Sequence, residues 1–356
     1  MSEPKKTPLC LRHIELGGKM VDFCGWYLPV QYPTGIIAEH NNTRNAASVF
    51  DVSHMGEISV EGEGAEAFVQ SLLTNDLAKL HKGRAVYSPM CYENGTCVDD
   101  LIVYPGKDGK LFIVVNAAND DKDFEWISSH APEGVKVSHL SDKFGQIALQ
   151  GPKAAEIMEK IGLAEANKLG FFGAGYFELC GVECLISKTG YTGEKGFEIY
   201  MPAEKTVEIW DLLLSAGAKP AGLGARDTLR FEACLPLYGH EISDQIKPNE
   251  ANLGFFIKPD THDFIGKAAL AEAPERKQVG LNFIGRGIAR NGFAVYANGE
   301  KVGYVTTGSP SPTTGKNLAL AIVSASVPDD AQYTIEVRGK LEPAERIATP
   351  FYKNSK

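Results

Sequence analysis

Residues 87–104 read YSPMCYENGTCVDDLIVY. Asn94-Gly95 between two apolar runs is a strong hairpin signal, because glycine takes the positive φ that a tight hairpin turn requires. The reading gives a strand from Tyr87 to Tyr92, a turn at Glu93-Asn94-Gly95 and a buried strand from Val98 to Tyr104. Two carboxylates, Asp99 and Asp100, stand where the second apolar run begins. Consecutive side chains on a strand point to opposite faces, so the two cannot share a pocket as a paired acid–base device. One is expected to cap the turn in water. The other is expected to face the interior, with Ile102 and Tyr104 on its side. A lone inward carboxylate needs a partner or a ligand. Spacing does not say which Asp points inward, and both being solvated in the turn is the plainer alternative.

Around this hairpin, short strand-like runs alternate with helical windows. Gly56 to Glu61 (GEISVE) alternates like a half-buried strand, and Ala65 to Leu73 has helical spacing. Leu111 to Val115, Gly145 to Gly151 and Gly196 to Met201 read as strands, and two more flank Gly181. Helices are expected over Asp120 to His130, from Pro152 to about Ile161, over Ala203 to Ala216, and from Ala225 to about Cys234. The polar, proline-broken AEAPERK at 271–277 is the best candidate for a domain boundary. Beyond it VGLNFIG, FAVYANGEKVGYVTTG, NLALAIV and YTIEVRG read as a small β barrel or sandwich. The whole reads as a β-rich α+β protein with a C-terminal β domain.

A chain of 356 residues exceeds one ordinary core and points to two or three domains. A formal charge of −9 argues against a nucleic-acid binder that works by neutralising phosphates. The 7 cysteines include no C-x-x-C, and the C-x3-C of Cys180 and Cys184 lacks a second ligand pair, so no metal is expected. Scattered free thiols suit a reducing compartment. The opening MSEPKKTPLCLRHIELGGKM lacks the apolar stretch of a signal peptide, and no apolar run is long enough to span a bilayer. A cytoplasmic protein without membrane contact is the expectation.

Three further stretches carry chemistry. In Thr189 to Tyr200 (TGYTGEKGFEIY) a glycine-rich loop leads into a strand with Phe197 and Ile199 on one face and Glu198 and Tyr200 on the other. An ionised carboxylate flanked by aromatics can accept two adjacent N–H donors of a planar ligand; a solvated Glu on the wet side of a sheet is the plainer reading. In AGLGARDTLR (221–230) Gly222 and Gly224 imitate the start of a dinucleotide fingerprint, but the third glycine and a βαβ unit are missing. Arg226 sits where a helix begins, a poor place for a cation, so an acid or a ligand should hold it; a simple salt bridge would suffice. In FDVSHMGE (50–57) Asp51 or Ser53 can turn the chain, and His54 reads as a hydrogen-bonded structural histidine, since no nucleophile stands beside it. The aromatic run FCGWYLP (23–29) reads as core.

Taken in order, FDVSHMGE, LLTNDLAKL, YSPMCYENGTCVDDLIVY, VVNAAN, LQGP, TGYTGEKGFEIY, PAGLGARDTLRFEACLPLYGHEI and DFIGKAAL strongly resemble the aminomethyltransferases of the glycine cleavage system, the T-protein family. GGKMVDFCGWYLPVQY near the start and TTGSPSPTTGKNLALAIV near the end match too, so the resemblance runs from about Thr7 to Tyr352. It implies an α+β fold in a three-domain cloverleaf around a folate-binding cavity, closed by a C-terminal β-barrel or jelly-roll-like domain. The implied division is 1–50 with 140–240, 51–139 with 241–277, and 278–356. The implied reaction moves an aminomethyl carbon from the lipoyl arm of the H-protein to the co-substrate tetrahydrofolate, giving 5,10-methylenetetrahydrofolate and ammonia.

On the family's pattern Asp100 is the key acid, facing the folate, and Asp99 faces away. Glu198 matches the pterin-binding Glu, whose partners would be the paired N–H groups of the 2-amino-4-oxo edge. Arg226 matches a ligand-contacting Arg, and Tyr191, Tyr87, Met55 and Asn116 match positions lining the cavity. The chain departs from the pattern at Leu235-Pro236, at Leu253-Gly254-Phe255 and at Thr96-Cys97, which puts contacts to the folate tail in doubt. Two relatives of the same fold are the alternatives: a tetrahydrofolate-dependent demethylase, and a folate-binding iron–sulfur assembly factor. The latter's Lys-Gly-Cys-Tyr-type motif is missing here.

Overall fold

The computed structural model describes residues 3–354. The chain divides into two compact units. One holds the residues up to Val69, Asp76–Tyr87 and Leu101–Leu229; the other holds Gln70–Asn75, Ser88–Asp100 and the residues from Arg230 onward.

The first unit is organised by a 6-stranded sheet in the order Ala174–Leu179, Val182–Ser187, Gly196–Pro202, Phe144–Gln150, Ser48–Asp51, Lys219–Pro220. Its neighbours run antiparallel except the last pair. Strand alternation sorts its side chains. Ile147, Leu149, Phe197, Ile199 and Met201 point to one face and pack on Ile209, Trp210 and Leu213 of the helix Thr206–Ser215 and on Ile157 and Met158 of the helix Ala154–Lys160. On the other face Phe50 and Ala148 meet Ala221, Ala225 and Leu229, while Leu185 and Tyr200 meet Tyr104, Phe112 and Val114.

Those last three residues belong to a 5-stranded sheet in the order Val86–Cys91, Cys97–Pro105, Leu111–Val115, Gly56–Gly62, Val135–His139. The helix Asp120–His130 packs on its Gly56–Gly62 and Val135–His139 strands. A 3-stranded sheet pairs Trp26–Gln31 with Lys5–Lys6 on one side and Lys19–Phe23 on the other.

The hairpin forms where the sequence asks for it. Gly95 has φ +83°, and the side-chain oxygen of Asn94 accepts from Thr96 N at 3.0 Å and Thr96 Oγ1 at 2.7 Å. The cap at the turn comes from Asn94, where an aspartate was expected. The strand starts at Cys97, so both aspartates lie inside it. Asp99 is buried with 0 % exposure, while Asp100 is half-buried. Alternation along Cys97–Pro105 puts Asp100, Ile102 and Tyr104 on one face of the strand.

A second expectation also fails. FCGWYLP is not core throughout: Cys24 (φ 51°) and Gly25 (φ 80°) make a two-residue turn exposed to solvent, and only Leu28 and Pro29 are buried. Two consecutive positive φ values are what a hairpin with the native strand twist demands.

The glycines of AGLG serve packing. A Cβ at Gly222 would lie 2.6 Å from Pro29 O, and one at Gly224 2.5 Å from Ile36 Cδ1. Their absence lets the start of the helix Leu223–Glu232 lie against the Trp26–Gln31 strand.

In the second unit, the strands Arg276–Phe283, Asn317–Ser324, Glu300–Pro310, Ala294–Ala297, Tyr333–Val337 and Lys340–Ile347 close in that order into a barrel around Leu281, Val295, Val305, Ala319, Ala321 and Ile335. Of the barrel and sandwich readings, the closed barrel is the one formed. Just before it, Arg230 donates to Glu241 at 2.8 Å, both side chains are buried, and Thr306 and Thr307 each donate to Glu241 at 2.7 Å. Among the described residues no helix is long and apolar enough to cross a membrane.

Gly222→Ala should fold with lower stability, by about 1–3 kcal/mol, because the new methyl meets backbone that cannot swing aside. A thermal melt beside wild type checks this; an unchanged midpoint would mean the contact is looser than drawn.

Candidate active site

Glu198 lies in the Gly196–Pro202 strand, opposite Ala148 on one neighbour and Ser187 on the other. It is only 6 % exposed, so the solvated reading does not hold. Its Oε2 accepts from Thr189 Oγ1, and its Oε1 accepts from Gln146 Nε2 at a long 3.4 Å. Burial pushes the Glu198 carboxyl up, while the Thr189 hydrogen bond and the charge of Arg226 pull it down.

Arg226 is in the first turn of its helix, where the dipole does not favour it. Its guanidinium carbon stands 4.7 Å from the centre of the Tyr191 ring, in cation–π range. It makes no salt bridge among the described residues, and its Nη1 is buried without a hydrogen-bond partner. The simple salt bridge is therefore not what holds it. A buried guanidinium donor left open costs free energy unless something accepts from it. Arg226 also lines a cavity of ≈ 10 Å³ with Pro29, Asp51 and Gly222, about the room of one water. A larger cavity of ≈ 360 Å³ lies at Gln278, Asp329, Arg346 and Thr349 of the barrel region, among none of the expected site residues.

His54 differs from its expectation. Its Nδ1 is buried and unpartnered, and burial, helped by the Arg226 charge and opposed by Asp51, lowers it to about 4. The ring is therefore neutral at pH 7, edge-on to Phe23 at 5.9 Å. The neighbouring Asp51 does turn the chain, accepting from Ser53 N at 2.9 Å, and it also accepts from Thr7 and contacts His13.

The fold thus gathers Glu198, Arg226 and Tyr191. Met55 packs against both clusters on that face of the 6-stranded sheet. Tyr87, in the Val86–Cys91 strand, and Asn116, just after Leu111–Val115, are half-buried in the same unit. Asp100 belongs to the second unit, where it and Asp99 lie near the thiol of Cys97. That thiol is pushed up by its hydrogen bond to Cys91, by burial and by both carboxylates.

Two polar residues were not singled out by the sequence reading. Gln146 donates to the Tyr200 hydroxyl at 3.1 Å as well as to Glu198. Its signal was the pair Gln146 and Gln150, which alternate with Ile147 and Leu149 in an otherwise apolar strand. Glu57 is 0 % exposed with neither carboxyl oxygen hydrogen-bonded, and burial, with Asp120 second, pushes it well above its ordinary value. GEISVE placed Glu57 on the polar side of a half-buried strand; a second layer covers that side at its first residue. Asp120, Asp121 and His139 bring one ligand atom each within 4.8 Å of one another, but two of the three are exposed and His139 is already bonded to Asp120 at 2.7 Å.

Comparison with known families identifies the chain's relatives. Residues 9–261 match the model of the GCVT N-terminal domain, and residues 276–353 match the glycine cleavage T-protein C-terminal barrel domain. The chain belongs to the glycine cleavage T-protein family. A protein of Anoxybacillus flavithermus named aminomethyltransferase is 47 % identical over 363 residues, covering 99 % of this chain and 100 % of the relative. One of Moorella thermoacetica with the same name is 48 % identical over 366 residues, covering 100 % of both. The solved aminomethyltransferase T of the Bartonella henselae glycine cleavage system matches with a TM-score of 0.91 at 33 % identity, over 98 % of each chain. The T-protein fold, an α+β fold with a C-terminal barrel, is thus the fold of this member of the family.

A raised carboxyl gives stability that is complete below its unfolded value near 4.5 and is lost as pH rises toward its folded value. Glu57→Gln cannot ionise and escapes that loss. The stability of Glu57→Gln relative to wild type should therefore climb between pH 5 and pH 8, by at most about 1.4 kcal/mol per pH unit. Denaturant melts at several pH values measure it; a flat difference would show that Glu57 ionises as readily in the folded chain as in the unfolded one.

Proposed function

We propose that this aminomethyltransferase takes the aminomethyl carbon from the lipoyl arm of an H-protein and passes it to tetrahydrofolate, releasing ammonia and 5,10-methylenetetrahydrofolate. The observation that carries the reading is the end-to-end relationship to proteins named aminomethyltransferase. The open donor at Arg226 and the weakly used Oε1 of Glu198 support it, because a pterin edge offers both an acceptor and paired N–H donors.

In this reading Glu198 accepts the paired N–H groups and so sets the ring's orientation. Arg226, fixed over Tyr191, donates to the ligand from Nη1. Tyr191, Tyr87 and Met55 give flat or soft surfaces to the rings, and Asn116 lines the same site. Asp100 is the acid. Its half-buried carboxylate orients the folate amines, takes the proton of the attacking nitrogen, and stabilises the cationic, iminium-like carbon left as ammonia departs. Tetrahydrofolate supplies the nucleophilic nitrogens, and no step is assigned to a metal. The three-domain division at 1–50 with 140–240, 51–139 with 241–277, and 278–356 is likewise proposed. It is supported by the grouping of strands: the 6-stranded sheet draws on 48–51 and 144–220, the 5-stranded sheet on 56–139, and the barrel on 276–347.

The test is ammonia release from lipoylated, aminomethyl-loaded H-protein, with and without tetrahydrofolate. Acceleration by folate with methylenetetrahydrofolate formed is expected. Folate binding by calorimetry without acceleration would point to the demethylase or the assembly factor instead. Asp100→Asn should lose most turnover, roughly 100-fold or more, and keep folate binding, since shape and size are retained. Asp99→Asn alters a side chain with no exposure, so it should lower the melting temperature more than turnover per folded molecule. Equal loss of turnover from both would remove Asp100 from its special role.

A further inference from the structure

The neighbourhood of Glu198 contains more hydroxyls than a ligand anchor needs, and they are connected. Gln146 Nε2 can only donate, so the Tyr200 hydroxyl accepts from it at 3.1 Å. The Tyr200 proton then has one acceptor within reach, the Tyr104 hydroxyl at 2.9 Å. Tyr104 in turn faces Thr189 Oγ1 at 3.3 Å and Ser187 Oγ at 3.3 Å, and those two lie 2.6 Å apart. The Thr189 proton goes to Glu198 Oε2. Ser187 Oγ donates to Tyr104 from the side, so the run toward Glu198 passes through Gln146, Tyr200, Tyr104 and Thr189. Ser187, Thr189, Glu198 and Tyr200 have at most 6 % exposure, as does Tyr104, so no bulk water competes for these bonds.

We infer that Tyr104 and Tyr200 are positioning residues for the ligand anchor: with Gln146 they head a hydroxyl chain through Thr189 that favours Glu198 as an ionised acceptor. The inference rests on the reading of Glu198 as the group that takes a ligand's adjacent N–H donors. The chain saturates Oε2 from behind. Oε1, whose contact to Gln146 is 3.4 Å, keeps its lone pairs for the ligand. A Glu198 protonated on Oε1 keeps Oε2 as a carbonyl acceptor, but a carbonyl takes a weaker hydrogen bond from Thr189 than a carboxylate does, and the protonated Oε1 competes with the ligand's N–H donors. The network thus pulls Glu198 toward the charged form, against the burial that raises its carboxyl. The titratable groups acting on Glu198 and its chain are Arg226 of the Leu223–Glu232 helix, Tyr104 and Tyr200 themselves, and Glu57, which acts on Tyr200.

Tetrahydrofolate binding, followed by calorimetry between pH 5.5 and pH 8.5, tests this in Tyr104→Phe, Tyr200→Phe, Thr189→Val, Thr189→Ser and Phe112→Leu. Each Tyr→Phe should weaken binding about 3–10-fold at neutral pH. The low-pH loss of affinity should begin about half to one pH unit higher, since protonation of Glu198 is no longer opposed. Thr189→Val should do the same, and Thr189→Ser, which keeps the hydroxyl, should behave as wild type. Phe112 lies 5.6 Å from Tyr200 and 6.3 Å from Tyr104 with no hydroxyl in the chain, so Phe112→Leu should lower stability without moving the pH limb. Tyrosine variants that lose stability as Phe112→Leu does, with affinity and pH limb intact, would overturn the inference. Glu198→Gln separates the two readings. If it binds like wild type, Glu198 is not the anchor. If it loses binding while the tyrosine variants do not, only the hydroxyl chain is refuted.

Discussion

A carboxylate taken out of water must be repaid in hydrogen bonds at the place where it is buried, and Glu198 imposes that condition on the first unit. Its donors are Gln146 from a neighbouring strand and Thr189 from the glycine-rich loop, and Thr189 is in turn met by Ser187 from the other neighbouring strand and Tyr104 from the other sheet. The face of the 6-stranded sheet that carries it therefore cannot be all apolar. The opposite face, backed by Trp210, Leu213 and Met158, is free to be. The division of labour within one sheet follows from the alternation of a single strand, Phe197 and Ile199 inward to the helices, Glu198 and Tyr200 toward the network.

Tyr104 shows how a strand in one sheet joins the polar network of another. Its ring packs in the apolar cluster with Phe112, Leu185 and Tyr200, while its hydroxyl reaches three polar partners. The same strand carries Asp100 on the same face, four residues earlier. A strand has no freedom to reorient one of these side chains without the other, so its register fixes both at once.

Much of this was legible in the sequence. The hairpin at Asn94-Gly95, the strand carrying Glu198, the helix over Thr206–Ser215 and the barrel strands all announce themselves by turn chemistry or periodicity. What stayed hidden has a common cause, the second layer. Glu57 and Glu198 both occupy the polar side of an alternating strand, and alternation cannot say whether that side meets water or another sheet. The expected aspartate cap gave way because Asn94 caps the turn and the strand starts at Cys97. The open Nη1 of Arg226 could not be foreseen, since it depends on which acid the fold fails to bring near. The resemblance named Glu198 and Arg226; burial and bonding say what holds those two.

The ends of the sheets have a meaning of their own. An outermost strand with unpaired amides is a template on which another molecule can add itself, and long smooth edges invite aggregation. Here the 3-stranded sheet ends on Lys5–Lys6, the 6-stranded sheet ends on Lys219–Pro220, and an outer strand of the 5-stranded sheet carries Pro89. Charge, brevity and proline each spoil the template. The barrel needs none of these devices, because a closed ring offers no outermost strand. A chain with so many strands thus carries its own defence against joining with copies of itself while it is being made in a crowded cell.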